Sequence, residues 1–125
     1  MELTVDFDST IPIYTQIRNA VIAAIADGRL APGEALPSIR ALSGALGINL
    51  HTVNKAYRQL GDEGFVEMRR GLGAVVAATM PGADAQYRQA TLPQLTALIQ
   101  EARVRQVGRG QLTALIDALY GKEES

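Results

Sequence analysis

The stretch Leu50-His51-Thr52-Val53-Asn54-Lys55-Ala56-Tyr57-Arg58 interleaves two kinds of residue. Val53, Ala56, Tyr57 and then Leu60 recur at helical spacing and form an apolar stripe. A stripe of that kind faces a core, which turns His51, Thr52, Asn54, Lys55 and Arg58 outward. These side chains are donors and acceptors suited to the base edges and phosphates of a duplex. An amide such as Asn54 can bond an adenine through two hydrogen bonds, and Lys55 can reach a guanine or a phosphate. Asn49 and Thr52 fall at the N-terminal end of the same helix, where free N–H groups and the helix dipole attract phosphate oxygens. Asn49 can equally be a plain cap, and Arg58 a plain solvated charge.

A second basic cluster lies further on. Arg69 and Arg70 precede Gly71 and Gly73, and the glycines let backbone approach a groove closely. The same glycines also suit an ordinary tight hairpin. Catalytic chemistry has little to build on. Cysteine is absent and His51 is the single histidine, so thiolate sites and multi-histidine metal cages are excluded. No nucleophile–base pair stands out, and Gly71-Leu72-Gly73 is not followed by the Lys-Ser/Thr of a phosphate-binding loop. The expectation is a non-enzyme without metal or cofactor.

The elements that must hold these residues follow from capping and periodicity. Ile13, Ile17, Val21 and Ile25 predict a first helix over 11–27, with Thr10 as its cap, Pro12 in its first turn and Gly28 as its stop. Ser38 caps a short second helix over 38–46, with Leu42 and Leu46 inward, and its hydroxyl can also meet a phosphate. Gly47 ends that helix, and Asn49 opens the third, over 50–63. Two short helices joined through Gly47 have the spacing of a helix-turn-helix. Phe65–Arg69 and Ala74–Ala78 are β-prone runs around a glycine-rich tip, and so predict a hairpin. The fold class expected is mainly helical with a small β-hairpin: a winged helix-turn-helix.

Met80-Pro81-Gly82 reads as a linker. The expected domains are therefore 1–79, with its core at 11–79, and a helical tail over 80–125. In the tail, Leu92, Leu95, Leu98 and Ile99 make one apolar face, and Leu112, Leu115, Ile116 and Leu119 make another. Pro93 either sits in the first turn of a helix or lies within a longer one starting near Asp84. Two such helices cannot bury both faces alone, so they pair with a second copy in an isologous contact, or else fold back on their own chain.

Length and charge set the outer limits. The chain has 125 residues, enough to bury a core, with 47% hydrophobic and 20% charged residues. Its net charge is -1, so any nucleic-acid reading rests on local patterning and not on bulk charge. The longest apolar run, Ala20–Ala26, is far too short to cross a bilayer. The acidic N-terminus is unlike a signal peptide, so the expected compartment is the cytoplasm.

PIYTQI at 12–17, GRLAPGEALPSIRALSGALGIN at 28–49, TVNKAYRQL at 52–60 and EGFVEMRRGLGAVV at 63–76 together resemble the GntR family of bacterial transcriptional regulators. The short helical tail resembles the YtrA-like subfamily, whose members carry a small dimerisation unit. MocR-type relatives share PIYTQI and NKAY but add an aminotransferase-like domain. The resemblance implies a homodimer on a palindromic double-stranded operator, usually as a repressor and often of transport genes. It makes Arg40 the DNA-contacting arginine of the second helix and Gly71 a minor-groove contact. Many members carry arginine at the places held here by Leu50 and Asn54, which implies weaker guanine readout and a gentler salt dependence. A small-molecule effector would need a site at the dimer interface. The other reading is a protein-interaction adaptor that uses the winged-helix fold without DNA.

Overall fold

A computed structural model of the chain describes residues 3–121. The outermost residues of both expected domains, 1–2 and 122–125, lie outside the described residues. The elements are α1 (Ile13–Ala26), α2 (Ile39–Leu46), α3 (Leu50–Asp62), β1 (Val66–Arg69), β2 (Gly73–Val76), α4 (Ala85–Val104) and α5 (Arg109–Tyr120). The chain divides into two compact units between Gly82 and Ala83.

In the first unit the three apolar stripes meet. Ile17, Val21 and Ala24 of α1, Leu42 of α2, and Val53, Ala56, Tyr57 and Leu60 of α3 are buried together. Val66, Ala74 and Val76 close the core from the hairpin, and Leu30 and Leu36 fill it from the α1–α2 connection. Each valine, leucine or isoleucine among them contributes about 1.5–3 kcal/mol on burial. Ile13, Ile25 and Leu46 only pack against the rim of this core, half-buried.

The first helix starts later than its sequence predicts. Pro12 is its N-cap, with an extended ψ of 146°, and no side chain caps it, so Thr10 does not play that part. An ordered strap precedes it instead. Gln16 accepts from Asp6 N (2.8 Å) and donates to the carbonyls of Asp6 (3.0 Å) and Ile11 (2.9 Å). Ser9 Oγ accepts from Ile11 N at 3.0 Å within the strap.

The turn between α2 and α3 is closed from both sides. Gly47 takes φ +68°, a left-handed conformation that costs a side-chain-bearing residue about 1–2 kcal/mol. Buried Ser43 donates its hydroxyl to Ile48 O (2.9 Å), and Ile48 N donates to Ser43 O (3.1 Å). Tyr57 donates to Pro37 O at 2.7 Å, tying the middle of α3 to the entrance of α2. At the far end of α3, Arg18 of α1 grips both carboxylate oxygens of Glu63 at 2.9 and 3.0 Å.

The strands pair antiparallel, with Val66 opposite Val76 and Arg69 opposite Gly73. The ladder leaves out Phe65, Ala77 and Ala78 of the expected runs and takes in Gly73 instead, though Ala77 N still donates to Phe65 O. The α1–α2 connection is stitched to β2. Gly33 N donates to Val76 O (2.8 Å), Val76 N to Glu34 O (2.9 Å) and Leu36 N to Ala74 O (2.8 Å).

In the second unit, Asp84 caps α4 by accepting from Tyr87 N at 2.8 Å, and Pro93 lies inside this long helix. Of the two placements that the sequence leaves open, the longer helix is the one observed. Gly108 opens α5, with Gln111 accepting from its N–H at 2.8 Å. Neither helix has a buried residue. No helix among the described residues is long and apolar enough to cross a membrane.

Candidate nucleic-acid interface

The apolar half of α3 is sealed in the core, and its other half is free. His51, Lys55 and Arg58 are exposed, while Thr52 and Asn54 are half-buried. The separation follows from spacing alone, since the buried positions 53, 56, 57 and 60 occupy one side of a 3.6-residue turn.

Two shallow hollows flank this face. One, of about 340 Å³, lies between α2 and α3 and is lined by Ile39, Arg40, Leu50, His51 and Asn54. The other, of about 680 Å³, lies toward α1, where Tyr14 and Thr15 face His51, Asn54, Lys55, Arg58, Gln59 and Asp62. His51 and Asn54 form the ridge shared by both. The structure thus gathers Arg40, His51, Asn54, Lys55 and Arg58 on one surface.

The cap residues are partly spent. Asn49 accepts from His51 N through its side-chain oxygen at 2.7 Å, which leaves its NH2 group as a donor. Ser38 accepts from Ala41 N at 3.0 Å. Both act as caps in the free chain, and a hydroxyl or amide proton stays available to a phosphate.

Arg69, Arg70, Gly71 and Gly73 are all exposed at the end of the hairpin. Gly71 and Gly73 have φ of +83° and +75°, and a Cβ at either would meet nothing within 4 Å. Backbone conformation, not crowding, calls for glycine there. Arg69 is held by Glu67 at 2.8 Å, whereas Arg70 makes no ion pair among the described residues. Asp62 and Glu67 offset part of the positive charge of the surface.

Burial raises the Tyr57 phenol well above its ordinary value, so it stays a neutral donor to Pro37. Two features of the site are not legible in the local sequence pattern: the approach of Tyr14 and Thr15, and the pairing of Leu50 with Ile39. Tyr14 and Thr15 reach the α3 face from another helix, and Leu50 and Ile39 place apolar groups among the polar ones. Leu50 itself stands out as an apolar residue beside the Asn49 cap, but nothing local signals its neighbour Ile39 or the approach of Tyr14 and Thr15.

The profile of the bacterial regulatory proteins of the gntR family matches residues 13–76, which is 64 of the 125 residues. The chain belongs to the GntR family. Within that family it is 37% identical over 75 residues to the HTH-type transcriptional repressor YtrA of Bacillus subtilis, covering 60% of this chain and 58% of that protein. The solved structure of YtrA from Sulfolobus acidocaldarius, a GntR-family transcription factor, is 39% identical, with a TM-score of 0.64 over 82% of this chain and 97% of that one. AraR(DBD), solved in complex with operator ORX1, is 27% identical, with a TM-score of 0.55 over 62% of this chain and 99% of that one. The winged helix-turn-helix and the YtrA-like resemblance both hold. The chain spans about three-fifths of the length of the curated GntR relatives of similar size.

Proposed function

We propose that this chain is a sequence-specific transcriptional repressor that binds a palindromic operator as a homodimer in the cytoplasm. The observation that carries this reading is the free polar face of α3, with Arg40 beside it, on a fold shared with a domain solved on its operator. The α3 face enters the major groove, where His51, Asn54 and Lys55 meet base edges. Arg40, Arg58, Ser38, Asn49 and Thr52 hold phosphates on either side. The hairpin lays Arg69, Arg70, Gly71 and Gly73 along the adjacent minor groove. The role asks for no catalysis.

Residues 1–79 are the reader and 80–125 the dimeriser. The apolar side chains of the tail support this division: Leu98 is 67% exposed and Leu119 78%. With them, Leu92, Leu95, Ile99, Leu115 and Ile116 are exposed and Leu112 half-buried. A second copy covers such a face with its own, and two-fold symmetry matches a palindrome. An effector, if one acts, would bind between the two tails.

Footprinting on the DNA upstream of the protein's own gene tests the reading, with a protected palindrome as the expected result. The double variant Arg40→Ala/Asn54→Ala should then lose that protection. Unchanged affinity in the double variant would overturn the site assignment.

A further inference from the structure

Resting on the operator-binding reading above, we infer that Leu50 reads the methyl group of a thymine in each half-site. Leu50 opens α3 and is 41% exposed, outside the buried core cluster. A single exposed leucine is ordinary on a protein surface, and its surroundings are what distinguish this one. It shares the hollow between α2 and α3 with Ile39, so two branched aliphatic side chains supply apolar lining there. Arg40, His51 and Asn54 line the same hollow and add donors and acceptors to it.

The first turn of a recognition helix is the part that meets base edges. In the major groove, thymine is the one base with an apolar group, its C5-methyl. Guanine, adenine and cytosine present donors or acceptors there, and a leucine pressed on those strips their water without replacing the hydrogen bond. A thymine methyl seated on Leu50 and Ile39 removes apolar surface from water on both sides. The polar lining meanwhile keeps its bonds to the neighbouring base and backbone. Leu50 therefore selects by packing, with a preference for thymine over the bases that offer only polar groups at that point.

Deoxyuridine isolates the methyl group, because it keeps every hydrogen-bonding atom of thymine. The full-length chain is titrated by fluorescence anisotropy against its footprinted operator, with each thymine replaced by deoxyuridine in turn, symmetrically in both half-sites. At one position per half-site the affinity should fall about three- to fivefold for each methyl lost. Leu50→Ala should bind the thymine and uracil forms of that position alike, and Leu50→Met should retain much of the discrimination. Leu50→Arg should come to prefer a G·C pair at the same position. Circular dichroism of each variant establishes that it is folded, which the exposure of Leu50 leads us to expect. A protected operator indifferent to every thymine methyl overturns the Leu50 assignment alone, as does a uracil penalty undiminished in Leu50→Ala. Absence of any protected operator overturns the operator-binding reading and the Leu50 assignment with it.

Discussion

Lys55 Nζ lies 4.0 Å from the centroid of the Tyr14 ring. The two residues come from different helices, α3 and α1. A lysine on a flexible stem is a diffuse point charge, and an aromatic face beneath its ammonium narrows the directions it samples. Tyr14 thereby aims a cation that the α3 periodicity merely turns outward.

Tyr14→Leu should loosen that aim. A partly exposed cation–π contact is worth about 0.5–1 kcal/mol, so operator affinity should fall roughly two- to fivefold. Tyr14→Phe, which keeps the ring, should bind like the parent chain. Anisotropy titrations of both variants check this, and equal losses in the two would assign the effect to the hydroxyl instead.

The two wing arginines should not be equivalent. Glu67 holds Arg69 at 2.8 Å and already offsets its charge. Arg70→Ala should lower the slope of log affinity against log salt by about 1, while Arg69→Ala should lower it less. Titrations at four or five salt concentrations give both slopes. A larger change for Arg69 would show that the Glu67 pair opens on DNA.

Tyr57 to Pro37 is a packing test independent of DNA. Tyr57→Phe leaves the Pro37 carbonyl without its donor and should cost about 1–3 kcal/mol in urea unfolding. The phenol's value is raised by burial, so its contribution is fully present below the unfolded-state value near 10. It is lost as pH rises through the higher folded-state value. Stability of the parent chain should therefore fall above pH of about 10 more steeply than that of Tyr57→Phe. Parallel alkaline limbs in the two proteins would count against it.

Charging the tail should separate the copies. Leu98→Glu puts a carboxylate on a surface that two chains are expected to share, and sedimentation equilibrium should then report monomers. With the second reader no longer tethered, operator affinity should drop by about 100-fold or more. A variant that stays dimeric would place the shared surface elsewhere.

Much of the reading head is legible in the sequence because its causes are local. Ser38, Gly47 and Asn49 mark ends through their own capping and backbone chemistry, and the stripe through Val53, Tyr57 and Leu60 fixes which side of α3 is free. What could not be read depends on partners distant in the chain. Gln16 holds a strap ten residues away, and this displaces the start of α1 and leaves Thr10 without its expected part. Tyr14 reaches Lys55 across 41 positions, and no local pattern records that approach. The choice at Pro93 turned on whether the chain before it was helical, and Asp84 resolves it through a cap that the sequence offers but does not compel.

The backbone bonds from Gly33, Glu34 and Leu36 to β2 make the hairpin's base continuous with the segment that delivers Ser38 and Arg40. If the proposed operator-binding role holds, these bonds tie its two points of grip together, as a caliper's frame ties its jaws. Grips coupled in this way would set a preferred groove spacing, and DNA that departs from it would bear the cost of deformation.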